Sequence, residues 1–209
     1  MPIPFDTLAA FIVTALLLAF APGPDNIFVL TQSALKGPWK GVMVTLGLCT
    51  GLIVHTTAVA LGVAVIFQTS QLAFTALKVV GALYLLYLAW GAWRAGPERL
   101  SDGEEARGEY GKLYLRGIIM NVTNPKVAIF FLAFLPQFTD PARGGLVVQM
   151  FVLGGVFMAC ALVAFSAIAF AAGGIRRWLR TSDRGQVLLN RIAALVFVGL
   201  AVKLATAQR

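Results

Sequence analysis

Two short segments carry charge inside runs that otherwise suit lipid. In APGPDNIFVL, residues 21–30, Asp25 and Asn26 follow Pro22, Gly23 and Pro24. In VTNPKVAIFF, residues 122–131, Lys126 follows Asn124 and Pro125. Proline has no N–H to donate, so Pro22 and Pro24 leave the carbonyls of Leu18 and Phe20 without helical donors. Pro125 does the same to Asn121, and Pro136 to Leu132. Each segment also reads as a helix start: Asn124 suits an N-cap and Pro125 the first helical position, with Gly23 and Pro24 playing those parts more weakly. A helix beginning there presents free N–H groups and the positive end of its dipole. Two helix N-termini, one carboxylate and one ammonium could together hold a small zwitterion or ion. The ligand's carboxylate would take the helix ends and Lys126, and its ammonium Asp25 or backbone carbonyls. The candidate binding residues are therefore Pro22, Gly23, Pro24, Asp25, Asn26, Asn124, Pro125 and Lys126. The competing reading is structural, an Asp25–Lys126 ion pair that staples two parts of the chain. Both can hold, with substrate competing for the pair.

The elements that must position these residues are membrane helices. Of 209 residues, 59% are hydrophobic and 12% charged, and mean hydropathy is +0.83. Soluble domains carry about 25% charged residues. Apolar windows of about 20 residues, enough to cross as helix, recur at 5–33, 41–67, 71–93, 113–135, 146–171 and 188–206. A closed barrel would show alternating polarity instead. The expected fold is an all-α integral membrane protein with six transmembrane helices, the first and fourth discontinuous. A charge at mid-bilayer depth costs about 2.5–3.5 kcal/mol, and backbone breaks persist there only against protein or a watery cavity.

Charge placement orients the chain. Of 17 Lys and Arg, 12 flank three connections: Lys36, Lys40, Arg94, Arg99, Arg107, Lys112, Arg116, Arg176, Arg177, Arg180, Arg184 and Arg191. Arg143, Lys203 and Arg209 lie on the opposite side. The net charge of +8 thus reflects the positive-inside rule and a lipid bilayer as partner, not nucleic acid. Both termini are expected outside. A polar linker, residues 94–112, separates two three-helix units at 1–93 and 113–209. Because three is odd, the units enter the membrane in opposite orientations, as in the inverted repeats of many secondary transporters. Asp25 stands 11 residues before Lys36, and Lys126 10 residues after Arg116. Both therefore fall about 15 Å from the cytoplasmic boundary, one half-helix running inward and the other outward. Residues 173–186 read as a basic turn at the inner headgroup surface, whose charges anchor topology.

Other residues have plainer readings. Cys49 and Cys160 read as small buried hydrophobes, with no CxxC and no metal-ligand cluster. His55 reads as a histidine hydrogen-bonded inside the bundle rather than a proton relay. Lys78 reads as snorkelling to the outer interface rather than lining a pathway. Gly47 and Gly51 form a GxxxG, taken as packing within the monomer rather than dimerisation. Tyr84, Tyr87, Trp90 and Trp93 form a strip expected at the cytoplasmic interface. No GxxxxGK[ST] occurs, so direct ATP drive is not expected. The stretch before Pro22 mimics a signal-peptidase site, but residues 1–8 hold no Lys or Arg, so a retained first helix is expected.

The segments APGPDNIFVL, KGPWKGVMVTLGLCTG, LKVVGALYLLYLAW and GIIMNVTNPKVAIFFLAFLPQF together resemble the LysE/RhtB family of bacterial amino-acid exporters, over nearly the whole chain. The resemblance implies a cytoplasmic-membrane exporter of amino acids or small relatives, driven by the proton gradient and without cofactor. Two rivals remain at this stage. A metal or inorganic-ion exporter would want several carboxylates or thiolates in the bundle, where the sequence offers Asp25. A thiol-electron carrier would need two cysteines able to meet beside the breaks. Which solute moves, and whether a homo-oligomer forms, stay open.

Overall fold

Proline sets several of the helix boundaries. The computed structural model describes residues 3–69, 71–94, 110–181 and 183–206. Among these, α1 spans Phe5–Phe20, α2 Pro24–Lys36, α3 Pro38–Thr69 and α4 Gln71–Arg94. Then follow α5 at Tyr110–Val122, α6 at Pro125–Phe134, α7 at Leu146–Thr181 and α8 at Asp183–Thr206. Pro24, Pro38 and Pro125 each open a helix, where a missing N–H is no loss. Ala21, ahead of Pro22, is extended with ψ 125°, as the residue before proline prefers. Gly37 turns the chain between α2 and α3 at φ 94°, a conformation that favours glycine. Pro136 ends regular helix as expected: α6 stops at Phe134 and a 3-10 turn, Leu135–Phe138, follows.

The fold is an all-helical, multi-pass membrane protein. Pro38–Gly62, Leu146–Ala172 and Arg184–Val202 are each long and apolar enough to cross a bilayer. The pair α1 and α2 passes the same test with a bend of 61°, and α5 with Pro125–Phe138 passes it with a bend of 52°. The described residues therefore hold three helices long and apolar enough to cross, or up to five candidate spans if each bent pair is one. The third expected span, 71–93, coincides with α4, whose apolar part Val79–Arg94 is shorter.

Two boundaries differ from expectation. The basic segment 173–186 is not a turn throughout, since α7 continues to Thr181 and α8 begins at Asp183. Charged side chains beyond the apolar window can reach headgroups from a continuing helix, so no chain break is needed there. The linker expected at 94–112 is shorter: Arg94 closes α4, and Tyr110 to Lys112 already belong to α5. Its remainder, 95–109, lies outside the described residues, as does the side chain of Lys78.

Packing is densest where α3 meets α5 and α7, and where α4 meets α8; α1 and α2 both lean on α7. Gly51 sits so near α5 that a Cβ on it would lie 2.7 Å from the Cβ of Asn121. Gly117 answers from the other side, where an added Cβ would fall 2.5 Å from the Val44 carbonyl oxygen. The GxxxG thus serves contact within the chain, where van der Waals packing drives helix association in lipid. Phe130, Phe131 and Phe134 of α6 pack with Phe157 of α7 into an aromatic core. Tyr87, Trp90 and Trp93 face outward with many leucines and valines. Arg94 and Arg191 lie over the rings of Trp90 and Trp93.

Candidate functional site

At the first break, the carbonyls at the end of α1 find donors from elsewhere. The Leu17 carbonyl still accepts from the N–H of Ala21. That of Leu18, whose donor would have been Pro22, accepts instead from Lys126 Nζ at 3.3 Å. Lys126 Nζ also donates to the Ala21 carbonyl at 2.8 Å. Asn26 Nδ2 donates to the Ala19 carbonyl at 2.7 Å. A cation from α6 therefore closes the C-terminus of α1, where the helix dipole is negative. This resolves a local conflict, because Lys126 belongs to the first turn of its own helix, next to a positive dipole end. Its long side chain carries the charge across to the favourable end.

The second break satisfies itself. Asn124 caps α6 by accepting from the Lys126 backbone N–H at 3.0 Å. Gly23 offers α2 no such side-chain cap. The Asn121 carbonyl, deprived of a donor by Pro125, accepts from the Asn124 N–H at 3.0 Å and pairs with His55 Nε2 at 3.0 Å. Because a carbonyl only accepts, Nε2 carries the proton of that bond. His55 is thus a buried, hydrogen-bonded histidine beside the break, its ring near Phe131.

Between the breaks lies a small cavity of about 20 Å³, room for roughly one water. Of the expected residues, Gly23, Asp25, Asn26, Asn124 and Lys126 line it. Pro22, Pro24 and Pro125 do not; Pro22 lines an apolar groove on the perimeter with Phe20 and Ile192. The prolines act through the backbone they shape. Asp25 is 4% exposed and Lys126 9%. The staple does not appear as direct contact: no ion pair joins Asp25 to Lys126 among the described residues, where the one shown is Arg143–Asp140. Asp25 instead accepts from Asn121 Nδ2 through Oδ2 at 3.4 Å, and its Oδ1 has no hydrogen-bond partner.

Sequence reasoning missed Asn121 as a side chain, though its carbonyl was flagged by Pro125. It also missed the apolar wall of Leu52, Phe157 and Phe165, for which no local signal exists. Gln149 is a further omission. Buried on α7, it accepts from the Asp140 N–H and donates to the Asp140 carbonyl, fastening the loop after α6. Cys49 and Cys160 are buried and free. Among the described residues no His, Cys, Asp and Glu group is arranged to hold a metal.

The chain has relatives among known proteins. The chain is 33% identical over 205 residues to the homoserine/homoserine lactone efflux protein of Salmonella typhimurium, covering 98% of each. It is 32% identical over 206 residues to the protein of that name from Salmonella typhi, again covering 98% of each. An uncharacterized membrane protein of Bacillus subtilis is 26% identical over 206 residues, 94% of this chain and 97% of that one. No solved structure matches the chain. The LysE type translocator family matches residues 16–208, and the chain belongs to that family.

Proposed function

We propose that this member of the LysE type translocator family exports amino acids or closely related small zwitterions across the bacterial cytoplasmic membrane, by proton antiport. The observation that carries the reading is the small cavity between two helix breaks, with Asp25 and Lys126 buried in its lining. Homoserine and its lactone, named for the two Salmonella relatives, are the first substrates to test. The cavity fits a water rather than a zwitterion, so loading requires the helices around it to part, as alternating access demands.

The architecture that suits this task is six spans in two inverted three-helix repeats, 1–93 and 113–209, with both termini outside. Two observations support it. The equivalent helices of the halves pair across the molecule, α3 with α7 and α4 with α8. At the end of the bundle where the basic connections lie, Lys40 sits 3.4 Å from the Tyr110 ring centroid and Arg116 4.7 Å from that of Phe28.

The test is efflux of labelled homoserine, threonine, leucine and lysine from preloaded cells, with the proton gradient intact or collapsed. Gradient-dependent loss of at least one, in cells producing the chain but not in controls, is expected. Efflux equal to controls for all of them would refute the exporter reading.

A further inference from the structure

The cavity between the breaks has committed part of its donors and leaves two acceptors open. Lys126 Nζ gives two hydrogens to the carbonyls of Leu18 and Ala21, and Asn26 Nδ2 gives one to Ala19. By contrast, Asp25 Oδ1 and Asn121 Oδ1 are buried without a hydrogen-bond partner. The orientation of the Asn121 amide follows from chemistry: its Nδ2 faces Asp25 Oδ2, and the flipped amide would set two acceptors against each other. Both side chains line the cavity, at 4% and 2% exposure. Buried acceptors without donors are unfavourable until a ligand supplies the hydrogens.

A primary ammonium suits this arrangement. It brings three N–H donors and a positive charge opposite Asp25, and charge-assisted hydrogen bonds are the strong ones. A carboxylate is served less well, because two of the three Lys126 ammonium hydrogens are already committed, to the carbonyl of Leu18, whose helical donor would have been Pro22, and to that of Ala21. The wall beyond is apolar, formed by Leu52, Phe157 and Phe165.

We propose that the site recognises its substrate through the α-amino group, held by Asp25 and Asn121, and that a free carboxylate is not required. The substrate class is then small primary-ammonium compounds, amino acids together with their lactones, amides and esters. Asn121 becomes a substrate-contacting residue. The proposal rests on the exporter reading above and sharpens it.

The experiment uses energised everted membrane vesicles containing the full chain, with labelled homoserine as the transported solute. Three competitors share one skeleton. Unlabelled homoserine carries both charged groups, homoserine amide carries the ammonium alone, and 2,4-dihydroxybutyrate carries the carboxylate alone. The amide should compete within about threefold of homoserine, and the hydroxy acid about a hundredfold more weakly. Asn121→Ala, compared at equal folded protein, should weaken homoserine and its amide together by about tenfold. A hydroxy acid that competes as well as homoserine, or an amide that does not compete, overturns the proposal and leaves export standing. If the vesicles accumulate neither homoserine nor any amino acid from the efflux panel, the exporter reading falls and this proposal falls with it. Should Asn121→Ala fail to fold, the competition series on the unaltered chain decides the matter.

Discussion

The two helix breaks, before α2 and before α6, are closed in opposite ways. The break before α6 is self-sufficient: Asn124 caps the new helix with its side chain and donates its own N–H to the stranded Asn121 carbonyl. The break before α2 has only Gly23 and takes its donors from Lys126, 108 residues away in sequence from Leu18, and from Asn26. The first break therefore depends for its polar closure on a side chain from beside the second. A shared position of proline does not imply shared chemistry. The asymmetry also places a cation against the end of α1 and leaves Asp25 facing the cavity with an unused oxygen.

This difference ranks the expected effects of mutation. Lys126→Met should be the most damaging, because it strands the carbonyls of Leu18 and Ala21 and removes the cation that shares the cavity with Asp25. Breaking a buried charged network costs about 3–5 kcal/mol, readable as a loss of detergent-phase stability, and export should disappear with it. Adding Asp25→Asn should not restore stability, since the lost partners are carbonyls rather than the carboxylate. A double mutant as stable as the unaltered chain would restore the ion-pair staple and break the comparison.

Asn124→Ala comes next. It removes a side-chain cap that the first break never had, at about 1 kcal/mol, so α6 should lose stability modestly and Lys126 should be less well positioned. Thermal melting in detergent beside homoserine efflux measures both, and no change in either would mean that the cap is idle. Gly23→Ala offers the contrast. No cap is lost there, but its Cβ would meet Lys126 Nζ at 3.3 Å, so export should fall more than stability.

His55→Ala should have the smallest effect, below about 1 kcal/mol. The Asn121 carbonyl keeps the N–H of Asn124 when the imidazole is removed. Proton-driven efflux should persist in this variant. Its loss at normal membrane levels would show that His55 carries protons rather than merely tying down a carbonyl. On topology, reporters placed in the 94–112 linker should be active only on the cytoplasmic side, and activity outside would reverse the proposed orientation.

The sequence made the breaks legible because their causes are local. A proline removes its own N–H, an asparagine directly before it can cap, and charges in apolar runs stand out by composition alone. The partners were not legible, because they come from distant parts of the chain. Nothing near Lys126 says that its ammonium ends on α1, and nothing near Gly51 says that Asn121 packs against it. That α7 continues to Thr181, into the segment expected as a basic turn, was not legible for another reason. Paired glycines and clustered arginines resemble a turn in water, whereas a membrane helix can carry both past the apolar layer without breaking.

The central claim is that the two breaks form one binding site. Homoserine counterflow into proteoliposomes preloaded with unlabelled homoserine tests it most directly, because exchange needs binding and needs no ion gradient. Purified wild-type and Asp25→Asn chains would be reconstituted at equal folded amounts. The account predicts exchange by the wild-type chain and, at equal insertion, background exchange by Asp25→Asn. Exchange by Asp25→Asn at the wild-type rate would contradict it.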